Sequence, residues 1–158
     1  DFARHVCGWK NANSSEFVMK CKSPVIDLMQ GQRNVKTKGA TMRLGAYPCR
    51  IKGKTRAYKA YGKRNIHERH RHRYEVNNRY RNKMEQLGLI VSGENIDLNL
   101  VEMIELKYHP WFVAVQFHPE LKSRIVNVHP LFRDFIAAAI CEKENKQNIQ
   151  SLQMEQAP

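Results

Sequence analysis

At 158 residues with 42% hydrophobic content, the chain has the size of one domain and enough apolar side chains to bury a core, which excludes a disordered polypeptide. Its 27 Lys and Arg outweigh 15 Asp and Glu, and the resulting +12 attracts nucleotides, nucleic acid or acidic protein patches without choosing among them. No run approaches the roughly 18 to 20 apolar residues of a membrane span, and no basic n-region precedes an apolar stretch, so a soluble, cytoplasmic protein is expected.

Four cysteines, Cys7, Cys21, Cys49 and Cys141, fall in no C-x-x-C pair, which argues against a zinc knuckle and a disulfide framework and fits a reducing compartment. The chain begins with Asp1 rather than Met, and residues 1–6 (DFARHV) read as the middle of a helix, so a fragment of a longer protein is expected. The turn-formers of residues 11–17 (NANSSEF) place Glu16 on a loop, a candidate binding loop. A polar stretch over 30–38 leads into residues 39–51 (GATMRLGAYPCRI), where apolar residues alternate as in a strand behind a glycine-flanked loop.

Residues 66–76 (IHERHRHRYEV) have period two, which puts Arg69, Arg71 and Arg73 on one face of a strand and His70, His72 and Tyr74 on the other. Asn77 or Asn78 caps a helix over 79–86 that Gly88 ends, and strands follow near 89–92, 100–107 and 111–117. Residues 111–117 (WFVAVQF) are nearly continuous in apolar and aromatic side chains, the pattern of a central strand buried on both faces. Pro130 opens a helix to 140 that offers Leu131, Phe132, Phe135 and Ile136 to the sheet, and the polar residues 142–158 read as a solvated, disordered tail.

The sharpest local feature is Gln116-Phe117-His118-Pro119-Glu120. Side chains at i and i+2 share a face, and Pro119, with no N–H for a ladder, stops strand pairing and frees both groups at the sheet's edge. A carboxylate beside an imidazole fixes its tautomer and stabilises the imidazolium, which lets the histidine deprotonate a nucleophile. His118 is the candidate base and Glu120 its orienter. Taken alone, His118-Pro119-Glu120 reads better as a structural strand end with Glu120 in solvent.

The strand ending in FHPE resembles the one that supplies His and Glu to class I glutamine amidotransferases. NANSSEF, ATMRLG, ERHRHRYEVN, WFVAVQFHPE and HPLF, in that order, are similar to motifs of the CTP synthase family, and the resemblance covers residues 1–140. It implies that His118 and Glu120 belong to a catalytic triad, that Glu16 and Arg73 contact L-glutamine, and that Thr41, Met42, Arg43, Leu44 and Gly45 form a lid linked to GTP activation. The chemistry suits these roles: a loop carboxylate accepts from an α-amino group, and an arginine fork matches an α-carboxylate. Ala40 stands where the family has a glycine, Leu121 where phenylalanine is usual, and Ser15 where threonine is usual.

The resemblance also implies a cysteine nucleophile on a G-x-C-x-G elbow about nine residues before Asp1. Cys7 in HVCGWK lacks the elbow glycine and reads as a packed thiol, and Cys21 and Cys49 have no better claim. The fold class expected is α/β, a partial flavodoxin-like class I amidotransferase domain with a mixed sheet flanked by helices, over residues 1–141. No cofactor or metal is expected in this segment; Mg²⁺ and ATP belong to a synthetase domain outside it, GTP is an activator, and a homotetramer is implied for the whole enzyme.

Three other readings exist, one of them an inactive amidotransferase remnant. Zinc at His67, His70 and His72 is opposed by neighbouring arginines and lacks a thiolate. A nucleic-acid module built from Arg64, Arg69, Arg71, Arg73, Arg79 and Arg81 with Tyr74 and Tyr80 would explain the charge but not FHPE after an apolar strand.

Overall fold

The computed structural model describes residues 1–28 and 42–155. In chain order these form α1 (Phe2–His5), β1 (Ala12–Ser14), β2 (Ser23–Leu28), β3 (Arg43–Ile51), α2 (Arg56–Tyr61), β4 (Asn65–His72), β5 (Tyr74–Val76), α3 (Asn78–Gln86), β6 (Leu89–Asn95), β7 (Leu100–Leu106), β8 (Val113–Val115) and α4 (Pro130–Glu155). A 3-10 turn covers Pro119–Leu121.

The strands make two sheets, a small one ordered β1-β2-β5 and a larger one ordered β4-β3-β6-β7-β8. β1 runs parallel to β2, and the other pairings are antiparallel, so the strands are mixed as expected. The run read as one strand over 66–76 changes sheets at Arg73: β4 pairs with β3, while β5 pairs with β2 through Ile26 and Val76, Asp27 and Glu75, and Leu28 and Tyr74. The alternation itself is as expected, with Ile66, Glu68 and His70 buried and His67, Arg69 and Arg71 exposed.

The large sheet curls until its outer strands meet. After β8, Gln116 N donates to Glu102 O on β7 at 3.0 Å, and His118 N donates to Arg69 O on β4 at 2.9 Å. Inside the curl, Cys49, Ile51, Ile66, Met103 and Phe117 pack with Ala57 and Ala60 of α2 and Leu131 of α4. The packing there is tight: a Cβ on Gly93 would lie 2.6 Å from Met103 Cγ and 2.8 Å from Cys49 Sγ, so only glycine fits beside them. A second cluster of Met84, Leu89, Val91 and Val101, with Phe2, Trp9 and Tyr80, seats α1 and α3 on the other face.

Caps explain the helix ends. Asn77 accepts from Arg79 N, and Gly88 takes φ +101 beyond α3. α2, which hydrophobic periodicity does not reveal, has Thr55 as N-cap and Gly62 in the left-handed region at its end. Buried Glu105 completes its start, accepting from Arg56 N and Ala57 N, both at 2.9 Å, where the helix leaves donors unpaired.

Three expectations are corrected. The strand read as central over 111–117 is the three-residue β8 at one end of the described sheet, half-buried, because the chain leaves the ladder to cross toward β4. The helix read to 140 continues to Glu155, and its 142–149 stretch is helical and largely exposed rather than irregular, since those polar residues form an i→i−4 ladder in solvent without needing a core. Among its described apolar side chains only Leu131 is buried, while Phe132, Phe135 and Ile136 are exposed, because α4 meets the rest of the described fold chiefly through its first turn and α2.

Candidate active site

Strand geometry dictates what happens after β8. Phe117 is buried in the curl, and the alternation turns His118 and the following carboxylate outward. Pro119 begins the 3-10 turn, which folds Glu120 back so that Oε1 lies 2.6 Å from His118 Nδ1. A carboxylate only accepts, so Nδ1 carries the hydrogen and Nε2 is left with its lone pair. The His118 hydrogen bond, foremost, holds the Glu120 carboxyl below its ordinary range. Both side chains face solvent, at 34% and 58% exposure, so a substrate can reach them.

Arg71, whose charge acts on the Glu120 carboxyl, connects this pair to a cleft of about 440 Å³ whose lining omits His118 and Glu120 and includes Glu16, Met42, Arg71, His72, Arg73 and Gln116. The cleft thus joins Glu16, 57 residues earlier in sequence, to Arg73, which occupies the bend between β4 and β5. Glu16 sits on the turn after β1, where its amide donates to Ser14 Oγ at 3.2 Å and Ser15 Oγ donates to Asp27 at 2.7 Å. One carboxylate, Glu16, and two guanidinium groups, Arg71 and Arg73, therefore line a single concavity, which offers a zwitterion partners of both signs.

The lid segment divides. Thr41, like Ala40, lies outside the described residues. Met42 lines the cleft, whereas Arg43 opens β3 and is buried between Glu75 at 3.1 Å and Glu102 at 2.6 Å. Leu44 is exposed at 71%, and Gly45 takes φ +106, a conformation glycine tolerates.

Sequence reasoning missed the buried ionic groups behind the cleft. Arg43, Glu68, His70, Glu75 and Glu102 are all within the interior. Period two places His70, His72 and Tyr74 on one face of the strand, but a row of polar groups looks like a solvated face until strand closure turns it inward.

Neither Cys7 nor Cys49 is an activated thiol. Burial pushes the Cys7 thiol up, with Lys83 opposing, and burial, helped by the charges of Glu102 and Glu68, pushes Cys49 up to about 12. Cys21 Sγ lies 3.2 Å from Asn11 O.

The zinc and nucleic-acid readings lose their geometry. His67 lies on the opposite face of β4 from His70 and His72, and no group of three candidate metal ligands occurs among the described residues. In the basic stripe, Arg81 pairs with Glu85 at 3.1 Å and also with Glu94, Tyr80 stacks edge-on against Trp9, and Tyr74 belongs to the cleft.

Residues 11–138 match the family model described as glutamine amidotransferase class-I. The chain belongs to this family. It is 60% identical over 139 residues to CTP synthases of Chlorobium phaeobacteroides and Moorella thermoacetica, covering 88% of this chain and 25% and 26% of those proteins. It thus spans about a quarter of the length of these relatives. The glutaminase domain of a Trypanosoma brucei CTPS with bound acivicin superposes with TM-score 0.81 at 36% identity, over 88% of this chain and 54% of that one. The mixed α/β amidotransferase fold and the resemblance to the CTP synthase family are both borne out.

Proposed function

We propose that this chain is part of the glutamine-hydrolysing unit of a CTP synthase, and that its cleft binds L-glutamine with Glu16 on the α-amino group and Arg73 on the α-carboxylate. The observation that carries the reading is the joining of Glu16 and Arg73 in one cleft, whose lining residue Arg71 also acts on the carboxyl of the 2.6 Å His118–Glu120 contact. Both charged ends of the amino acid then have partners of opposite sign, and its side-chain amide extends toward the imidazole.

His118 Nε2 has no protein partner among the described residues. It takes the proton of a cysteine thiol supplied by a part of the protein that this chain does not span. The thiolate attacks the carboxamide carbon, His118 returns the proton to the departing nitrogen, and ammonia leaves a thioester that water hydrolyses to glutamate. Glu120 holds the ring by Nδ1 and stabilises the imidazolium through both proton transfers. In the whole enzyme this ammonia aminates UTP to CTP at an ATP- and Mg²⁺-dependent synthetase domain, with GTP as activator and a homotetramer as the assembly, in the cytoplasm.

By itself the chain binds glutamine but releases no ammonia. The test pairs calorimetric glutamine titration of the 158-residue chain with an ammonia assay of the full-length protein. Loss of binding on Arg73→Ala supports the assignment, and unchanged binding, or ammonia release from the full-length protein that survives His118→Ala, refutes it.

A further inference from the structure

Inside the curled sheet, His70 of β4, Arg43 of β3 and Glu102 of β7 meet Glu75 of β5, and each of the four is at least 96% buried. Their hydrogen-bond directions can be assigned from the outside inward. The Tyr74 carbonyl only accepts, so His72 Nδ1, 3.0 Å away, carries a hydrogen. A neutral His72 then presents a bare Nε2, and His70 Nδ1, 2.9 Å from it, must be the donor. That leaves His70 Nε2 bare and 3.6 Å from Glu102 Oε2.

Neither of these two atoms has a hydrogen-bond partner among the described residues. Two buried lone pairs facing each other cost free energy, and one proton between them turns the repulsion into a hydrogen bond. The charges agree. Arg43 contacts both Glu75 and Glu102, yet a single buried cation balances a single carboxylate.

We propose that Glu102 is held as a neutral acid whose proton points at His70 Nε2, so that Glu102, His70 and His72 form a donor chain ending on the Tyr74 carbonyl and act as positioning residues for the cleft wall. The importance of that wall rests on the glutamine reading above, whereas the protonation does not. Burial, then the charge of Arg43, pushes the His70 pKa down to about 3, and burial raises the Glu102 carboxyl against the pull of Arg43, so both shifts run in the direction this proton position requires.

Other charged groups face the chain. Arg43 comes from β3, Glu68 and His72 from β4, Glu75 from β5 and His118 from the segment after β8. Glu68 is already engaged by Lys122 and His129, each at 3.3 Å. At the other end, the Tyr74 carbonyl also accepts from Gln116 Nε2 at 3.2 Å, so two side chains of the cleft converge on one oxygen next to Arg73.

The test uses the isotope-labelled 158-residue chain. Imidazole ¹⁵N shifts should show His70 and His72 as neutral Nδ1–H tautomers at pH 7, and infrared spectra should contain a carboxylic-acid carbonyl band that disappears in Glu102→Gln. The glutamine amide can still donate to His70, so this variant should keep both tautomers and leave the backbone amide signals of residues 73–75 in place. Glu102→Ala should lose the His70 tautomer, shift those signals and weaken L-glutamine binding about tenfold, a change of roughly 1.4 kcal/mol.

An imidazolium at His70, an Nε2–H tautomer at either ring, no acid band, or unmoved 73–75 signals in Glu102→Ala would each overturn the proposal. Should the alanine variant fail to fold, the tautomers and band in the wild type and Glu102→Gln decide it. No saturable glutamine binding by the wild type would sink the glutamine reading instead, with the tautomers and the 73–75 signals still deciding this one.

Discussion

Two histidine–glutamate pairs bracket the segment after β8, and they differ in what each ring has left to offer. His118 meets Glu120 through Nδ1 at 2.6 Å in solvent and keeps Nε2 unengaged among the described residues. His129 meets Glu68 through Nε2 at 3.3 Å with 3% and 1% side-chain exposure, and its Nδ1 accepts from Leu131 N at 3.3 Å as α4 begins. Tyr61 donates its hydroxyl to the same Glu68 oxygen at 3.0 Å. The same two residue types thus make an accessible proton acceptor at one end and a fully used clasp at the other. Their difference lies in burial and in the spare nitrogen, which composition cannot show.

The comparison breaks most visibly in activity. In the full-length protein, His118→Ala should lower glutamine-dependent ammonia release by on the order of 10⁴-fold with KM little changed, as read by steady-state kinetics. His129→Ala should act on stability instead.

Glu68→Ala should destabilise the fold by about 3–5 kcal/mol in denaturant unfolding, because it strands a buried His129 and removes the acceptor of Tyr61 and Lys122. Loss of glutamine binding without loss of stability in this variant would contradict the division of labour between the pairs.

Acid should separate them next. Burial raises the Glu68 carboxyl, but His129, Lys122 and Tyr61 together hold it below its ordinary value of 4.5 in the folded chain. Its contribution is therefore complete above that value and is lost as pH falls through the lower folded value, so wild-type stability should decline progressively below about pH 4.5. Glu68→Gln should flatten that part of the stability–pH curve. Glu120→Gln should not, although the Glu120 carboxyl is lowered too, because its pair is exposed and water solvates either form.

The smallest effect sharpens the contrast: Glu120→Gln should change unfolding free energy by less than about 0.5 kcal/mol, since surface changes away from packed features seldom do more. A thermal melt of this variant beside Glu68→Gln measures the gap directly.

Much of this was legible in the chain and some was not, for physical reasons. FHPE, the α3 caps and the alternation of β4 are local signals, and the structure keeps each of them. β2 went unread because Pro24 interrupts a short run of mixed polarity, and α2 because its six residues are too few for a helical period, although Thr55 and Gly62 mark its ends. The position of β8 could not be read because an apolar run is the same whether neighbouring strands or the curl of a sheet covers it. The interior carboxylates were hidden most deeply: a charged side chain declares its partners only when distant strands close around it.

That closure has a kinetic side. The hydrogen bond from His118 N to Arg69 O joins residues 49 apart in sequence, and it forms between strands at opposite ends of the large sheet. Closing that contact costs less entropy once the ladders between them are in place, so the imidazole is expected to reach its working position late in folding. In amide exchange the His118 proton should accordingly be released whenever the seam between β4 and the β8 segment parts, well before β3 to β7 open. A site built on such a seam is the first part of the fold to lose its shape under mild denaturant, while most of the secondary structure still stands.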